Sequence, residues 1–361
     1  MFRGRKAKKF FSILLAAVMA LTLLAGCGGG GEASQSGSGS ADGTQTTDLK
    51  VGFILNGLLG SQSFDDVIVA GIEKAQAELG FELMKAEKVE AAQAADTVRT
   101  MVQQGCNYII FNSAVVTDPC VDVMKENPDV MFLSIDYDLP DAPDNLCCVS
   151  YREQEAAFLT GAFCELMSKT GKVAFIGGNE GGTMVRFEAG FRTGARYVNK
   201  DAEVSVSYVG FQDANKGKET ATMLYNQGYD WIAGAAASSN LGIFQASEEL
   251  GGDNWVCGAA DGQFHLMPSR IVVSQVKRVD NVAYNMLKEA AEGNFQGGAH
   301  LNMGLKEEGV DMLYTDKNDE LLAMIPEEVT TRIEELRQAI IDGEIVVPAS
   351  NDEIESFKFP E

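Results

Sequence analysis

Short apolar runs alternate with amphipathic stretches along most of this chain. Residues 51–80 show the unit in full: the run VGFIL, a loop rich in glycine and small polar residues, and a helical stretch that Gly80 ends. The run is short enough to form a strand that is buried on both faces. This segment therefore predicts a strand, a loop and a helix in that order.

The same pattern repeats after residue 80. It predicts strands at 81–85, 108–111, 130–135, 172–176, 204–209, 231–235 and 255–259. It predicts helices at 91–104, 121–126, 153–169, 184–199, 216–227, 241–250, 279–293 and 327–342. Alternating strands and helices are typical of parallel sheets with helices on both faces. There are too many units for one small sheet, so we predict an α/β fold with two doubly wound lobes.

The N-terminus has the pattern of an export signal. A cluster of basic residues precedes the apolar stretch 10–24, which ends in the sequence LAGC at Cys27. Small residues directly before a cysteine are typical of bacterial lipoprotein signals, although an ordinary signal peptide with a chance cysteine is the alternative. We therefore expect residues 1–26 to be removed and Cys27 to carry a lipid.

Residues 27–48 are mostly Gly, Ser, Ala, Thr, Gln and acidic residues. Such a composition cannot bury a core, so we expect a disordered tether. The predicted location is the extracytoplasmic face of a cell membrane, where the lipid on Cys27 holds the protein. We expect a monomer.

The charge of the chain is strongly acidic. Removing the five basic residues of the signal from the 29 in the chain leaves 24 against 52 acidic residues, a net charge of −28. This balance argues against nucleic acid or an anionic membrane surface as a partner.

Six cysteines follow Cys27 without any CxxC pair, and the chain has only two histidines, His265 and His300. The spacing therefore predicts no metal site, and we expect no cofactor.

Polar side chains follow several of the apolar runs; they are Asn56, Asn112, Asp136, Asp261 and Lys277. Because parallel strands point their carboxyl ends the same way, these groups are expected to converge on one crevice. Each could instead cap a helix or form a turn. Ligand binding is the favoured interpretation for Asp136 and Lys277. For Asn56 and Asn112, ligand binding and a capping or turn role are equally favoured. Phe64, between the first loop and its helix, is either a core anchor or a ligand-stacking group.

Six segments in this order carry a resemblance to a known family. They are GSQSFDD with GIEKAQAELG, MFLSIDYD, EAAFLTGAFCELMSKTGKVAFIGG, MVRFEAGFRTGA, YVGFQDANKGKETATMLYNQGYD and VVSQVKRVDNVAYNMLK. Together they resemble the basic membrane protein family over about residues 50–310. That family includes the purine nucleoside receptor lipoproteins, which are substrate-binding components of ABC importers.

The resemblance implies a periplasmic-binding-protein type I-like fold, with two lobes joined by a three-crossover hinge and the ligand between them. It implies that Phe64 and Phe187 sandwich a purine, that Asp136 holds ribose hydroxyls, and that Lys277 lies in the site. Two aromatic faces suit a flat base, and carboxylates accept hydrogen bonds from sugar hydroxyls. The stacking interpretation of Phe64 is therefore preferred. A membrane permease is the implied partner, and ligand-driven closure is the implied mechanism.

The chain departs from the family pattern GDKSFND at residues 60–66. Asp65 stands where the family has asparagine, Ser61 stands where it has an acid, and one acid is missing or shifted near Asp261. Asp65 is a candidate ligand-binding residue. An ionised carboxylate only accepts hydrogen bonds, whereas an amide also donates them, so the change from asparagine would alter which edge of the base is read or change the class of ligand. The predicted ligand is a purine nucleoside, and the alternative is a sugar or another small polar solute.

The first lobe is predicted to comprise residues 49–150 and 278–300, and the second lobe residues 151–277 and 301–361.

We do not expect an enzyme. Segments 274–277, 238–240 and 169–171 resemble the three motifs of penicillin-recognising serine enzymes, which makes a serine acyl-enzyme a remote alternative. However, they run in reverse order, and Ser274 ends a strand instead of opening a helix.

Overall fold

Two six-stranded sheets organise residues 48–60, 64–259 and 262–360, which are the residues described by a computed structural model of the chain. Across the first sheet the strands are β11 (His300–Met303), β5 (Leu146–Tyr151), β4 (Met131–Ile135), β3 (Tyr108–Phe111), β1 (Lys50–Ile54) and β2 (Glu82–Ala86). Every neighbouring pair in this sheet is parallel.

Across the second sheet the strands are β12 (Val310–Tyr314), β10 (Ile271–Lys277), β9 (Trp255–Gly258), β8 (Trp231–Ala235), β6 (Lys172–Gly177) and β7 (Glu203–Tyr208). Only β12, at the edge, runs antiparallel to its neighbour. The predicted α/β fold with two parallel-stranded lobes is confirmed.

Helices connect and cover the strands. The α-helices are α1 (Phe64–Leu79), α2 (Ala91–Gln103), α3 (Ala114–Thr117), α4 (Val121–Glu126), α5 (Glu153–Met167), α6 (Thr183–Val198), α7 (Ala214–Asn226), α8 (Asn240–Leu250), α9 (Val279–Ala291), α10 (Asp319–Ala323), α11 (Glu327–Ile341) and α12 (Asn351–Ser356). None of the helices in the described ranges combines the length and the apolar character that a bilayer crossing requires.

Both faces of the central strands are apolar, which explains their unbroken hydrophobic runs. In β8 all five residues are buried: Trp231 and Ala233 pack into the largest apolar cluster, and Ile232 packs into another on the opposite face. In β1, Phe53 and Ile54 divide between two clusters in the same way. The period-two alternation therefore distributes each strand between two cores.

The chain crosses between the sheets at three places. It passes from β5 into α5, from β10 into α9, and from β11 to β12 through residues 304–309. At the first and third crossings the structure differs from the sequence prediction. The strand β5 was not predicted, and residues 301–303 belong to the first sheet instead of the second, because β11 pairs with β5. The third crossing therefore begins after Met303.

The helices α5 and α6 approach each other through glycine. A carbon atom added at Gly161, Gly190 or Gly194 would lie only 1.9–2.2 Å from a carbonyl oxygen of the facing helix. Because the obstructing atoms are backbone atoms, no side-chain rotation relieves the clash. These two helices therefore pack with backbone against backbone.

Candidate functional site

A cavity of about 710 Å³ lies where the carboxyl ends of strands from both sheets meet. Four of the predicted site residues line it: Phe64 at the start of α1, Asp136 directly after β4, Phe187 in α6 and Lys277 at the end of β10. These residues come from both lobes. The topology thus brings together groups that are more than 200 residues apart in the chain.

An ion pair joins the two sheets at this cavity. The Lys277 Nζ lies 2.6 Å from Asp136 Oδ2 and 3.6 Å from Glu153 Oε1. Asp136 has a φ of 65°, a left-handed conformation that asparagine and aspartate adopt more readily than most residues. The side chains of Lys277 and Asp136 are 14% and 23% exposed, while that of Glu153 is 0% exposed.

A second cation completes the charge network. Arg186 Nε donates to Glu153 Oε2 at 2.5 Å, and the same guanidinium donates to the Thr183 hydroxyl. The buried Glu153 carboxylate is therefore shared by Lys277 and Arg186, which offsets the cost of burying it. Neither Glu153 nor Arg186 was among the residues predicted for the site. The only available signal was that Arg186 directly precedes Phe187 in the segment MVRFEAGF.

Aromatic side chains form much of the remaining wall. The Lys277 Nζ lies 5.1 Å from the centroid of the Phe64 ring, so one face of that ring contacts a cation. Phe187 is almost fully buried in α6, whereas Phe211 is 40% exposed at the edge of the cavity. Phe211 packs against Gly178, where an added carbon would lie 2.1 Å from its ring. Phe211 was not predicted as a site residue, although it lies within one of the family segments.

Three other predicted residues form a hydrogen-bonded cluster at the ends of β1 and β3. Asn112 Nδ2 donates to Asp65 Oδ1 at 2.6 Å, and Asn112 Oδ1 accepts from the backbone N–H of Asn56 at 3.4 Å. Asp65 and Asn112 are buried, and this burial raises the pKa of the Asp65 carboxyl. Within the described ranges these three residues do not line the cavity. They link the ends of β1 and β3 to the first turn of α1.

Side-chain amides hold the opposite wall in the second lobe. Asn240 Nδ2 donates to Gln263 Oε1 at 3.0 Å, and the backbone amides of Ala236 and Ala259 donate to Asn240 and Gln263 respectively. Asn240 and Gln263 both line the cavity. Neither residue was predicted for the site, because neither directly ends an apolar run. Asp261, Ser61 and Cys27 lie outside the described residues.

The serine acyl-enzyme alternative does not fit this geometry. Ser274 is fully buried inside β10, and its hydroxyl donates to the backbone oxygen of Gly262. Lys277 contacts carboxylates, not the serine. A buried serine whose hydroxyl is held by a backbone oxygen is not accessible to a substrate.

Two parallel-sheet lobes with a mixed aromatic and charged cleft define a solute-binding protein. Residues 48–351 match the family model described as ABC transporter substrate-binding protein PnrA-like. The chain belongs to this family. It is therefore a substrate-binding protein of an ABC transporter, not an enzyme, and its partners are a small-molecule ligand and a permease.

Curated relatives support this assignment. The chain is 34% identical over 312 residues to Basic membrane protein A2 of Borrelia garinii subsp. bavariensis, covering 85% of this chain and 90% of the relative. It is 28% identical over 368 residues to the CD4+ T-cell-stimulating antigen of Listeria innocua, covering 94% and 99% of the two chains.

Solved structures show the same fold. An ABC transporter system solute-binding protein from Aeropyrum pernix superposes with a TM-score of 0.73 at 26% identity, covering 85% of this chain and 96% of that one. A solute-binding protein from Conexibacter woesei gives a TM-score of 0.70 at 21% identity, covering 83% and 99%. The predicted periplasmic-binding-protein type I-like fold is confirmed.

Proposed function

We propose that this protein binds a purine nucleoside in the cleft between its lobes and delivers it to a membrane permease. The observation that carries the proposal is the joint presence of Phe64, Phe187 and the Asp136–Lys277 pair around one cavity. The cavity volume of about 710 Å³ falls within the range typical of small-molecule sites.

The two ends of a nucleoside differ in chemistry, and so do the two kinds of lining residue. Aromatic rings offer flat apolar faces for a base, with Phe64 contributed by the first lobe and Phe187 by the second. The Asp136 carboxylate accepts hydrogen bonds from sugar hydroxyls, and Lys277 donates to sugar or base oxygens. A nucleoside would therefore contact both lobes at once.

Binding to both lobes provides a means of closure. A ligand shifts an equilibrium between open and closed forms by the difference in its affinity for the two. A base held by Phe64 on one side and Phe187 on the other has all its contacts only when the lobes are close together. We infer that the closed form is the one the permease recognises, with the monomeric protein tethered by a lipid on Cys27 at the extracytoplasmic face.

Calorimetry tests the proposal directly. The purified protein is unfolded and refolded once to remove bound ligand, and is then titrated with adenosine, guanosine, inosine, cytidine and ribose. We expect tight binding of the purine nucleosides. Because base–aromatic stacking contributes about 1–3 kcal/mol per base, Phe64→Ala should weaken binding by roughly 5- to 150-fold. Asp136→Ala should weaken the binding of nucleosides and also the binding of ribose.

A distant aromatic residue provides the control. Phe357, which packs against Tyr197 and Phe359 near the C-terminus, lies outside the cavity lining. Phe357→Ala should leave nucleoside affinity unchanged. Binding of ribose or another sugar without any heat from nucleosides would reject the base site and identify a sugar-binding protein.

A further inference from the structure

Three side chains with metal-binding atoms converge at the β5–β11 edge of the first sheet. They are Asp138, Cys148 and His300, and their ligand atoms all lie within 4.8 Å of one another. Their chain positions follow no spacing motif, which is why the sequence predicted no metal site. The cluster is separate from the cavity lining described above.

The backbone fixes the relative positions of these three residues. His300 and Cys148 are register partners on neighbouring parallel strands, so their side chains project from the same face of the sheet. The Cys148 amide donates to Ala299 at 2.8 Å, which holds the two strands together at this point. Tyr137 forms a bridge with Val149, and this bridge places the loop that carries Asp138 beside β5.

The three groups differ in exposure in a way that suits a site open to solvent. The Cys148 side chain is buried, whereas the side chains of Asp138 and His300 are 52% and 43% exposed. His300 Nδ1 already makes a hydrogen bond to Asp138 Oδ1. Two ligands are therefore accessible to an ion from solution, and the third lies behind them.

We propose that Asp138, Cys148 and His300 bind a zinc ion, with water as the fourth ligand. A thiolate, an imidazole and a carboxylate form a donor set that suits Zn²⁺, whereas Ca²⁺ and Mg²⁺ prefer oxygen ligands alone. Zinc bonds of about 2.0–2.3 Å place tetrahedral ligand atoms roughly 3.5 Å apart. The three ligand atoms already lie within 4.8 Å of one another, so they would have to shift by only about an ångström to reach this separation. The Cys148 thiol loses its proton to solvent when the metal binds.

The site also has a consequence for the ligand cleft. Asp138 follows Asp136 by two residues, and the Asp136 amide donates to Val149 of β5 at 2.9 Å. A metal ion that links Asp138 to β5 and β11 would hold this loop against the sheet. It would thereby fix the backbone that presents the Asp136 carboxylate to the cavity.

Cobalt is a suitable spectroscopic probe for such a site. The full chain, reduced and stripped of metal with a chelator, is titrated with Co²⁺ alone and then with Zn²⁺. We expect a cysteinate-to-cobalt charge-transfer band that saturates at one equivalent and disappears when zinc displaces the cobalt. Cys148→Ser should abolish the band. His300→Gln and Asp138→Asn should each weaken binding by at least about 10- to 100-fold, since even outer-shell changes have effects of that size.

Two neighbouring residues provide matched controls. Cys147→Ser changes the adjacent buried cysteine on the opposite face of β5, and Asp141→Asn changes an exposed aspartate in the same loop. Both variants should bind cobalt like the wild type. Cys27 is unchanged in every variant, so any contribution from it is constant.

The result that overturns the proposal is the absence of a charge-transfer band in the wild type. Equal cobalt affinity in the wild type, His300→Gln and Asp138→Asn would overturn it as well. These two side chains are exposed, so their variants decide the outcome even if Cys148→Ser does not fold. Because no nucleoside is used, the result is independent of the proposed transport function.

Discussion

The ion pair between Lys277 and Asp136 should couple the two lobes energetically in the absence of ligand. At 2.6 Å and an effective dielectric constant of about 20, the Coulomb attraction is about 6 kcal/mol before desolvation is subtracted. Both side chains retain some exposure, and Lys277 also faces Glu153. We therefore expect a net coupling of about 1–3 kcal/mol.

A double-mutant cycle measures this coupling. The perturbations are Lys277→Met, which keeps the length of the stem, and Asp136→Asn, which keeps a residue that tolerates positive φ. Urea unfolding of the wild type, both single variants and the double variant, without ligand and at neutral pH, gives the four free energies of unfolding. Lys277→Met should lower the free energy of unfolding by about 2–4 kcal/mol, because among the described residues it leaves the fully buried Glu153 with Arg186 as its cationic partner.

An exposed pair in the first lobe serves as the reference. Lys85 Nζ lies 2.8 Å from Glu73 Oε1, and the two side chains are 35% and 51% exposed. A double-mutant cycle on this pair should therefore give a coupling energy of no more than about 0.5–1 kcal/mol. If the Lys277–Asp136 coupling equals that of the reference pair while all variants unfold cooperatively, burial has not strengthened the interaction and the reasoning is refuted.

Further predictions concern packing, pH and the edge of the cavity. Gly194→Ala would place a carbon 1.9 Å from a carbonyl oxygen and should destabilise the fold by about 2–4 kcal/mol, seen as a lower Tm in calorimetry; an unchanged Tm would contradict it. Burial raises the pKa of Asp65, so the ionised carboxylate weakens the fold above that pKa. Relative to wild type, Asp65→Asn should therefore gain stability as the pH rises from the ordinary carboxyl range to neutrality; a difference independent of pH in urea unfolding would refute this. Phe211→Ala should lower nucleoside affinity by about fivefold or more in calorimetry with little change in Tm, because the ring is 40% exposed; unchanged affinity would remove Phe211 from the site.

The local hydrophobic pattern was sufficient to predict most of the strands and helices, but not all of them. The strands β3 and β8 were predicted at their observed bounds because each is a short, fully buried apolar run that directly follows a polar residue. The strand β5 was missed because it follows β4 without an intervening helix and so breaks the alternation. The strand β11 was missed because two of its four residues are exposed and its stability depends on pairing with β5.

The residues of the candidate site likewise divide into those that could be predicted from sequence and those that could not. Asp136 and Lys277 could be predicted because each directly follows or ends an apolar strand, and Phe64 and Phe187 because they lie in family segments. Glu153 could not, since its role depends on how the first crossing meets β10. The proximity of Cys148 and His300 depends on the register of two strands that are remote in sequence.

The glycine contacts between α5 and α6 bear on how a protein of this kind can acquire a new ligand. Phe187 and Arg186 lie on α6, and α5 begins at Glu153, so this helix pair carries one aromatic wall and the buried charge network. A substitution that separates the backbones would disturb both together. Phe211 and Leu241, by contrast, line the cavity with exposed side chains outside this close contact. Changes in specificity during evolution are therefore expected first at such rim positions, with the helix pair inherited unchanged.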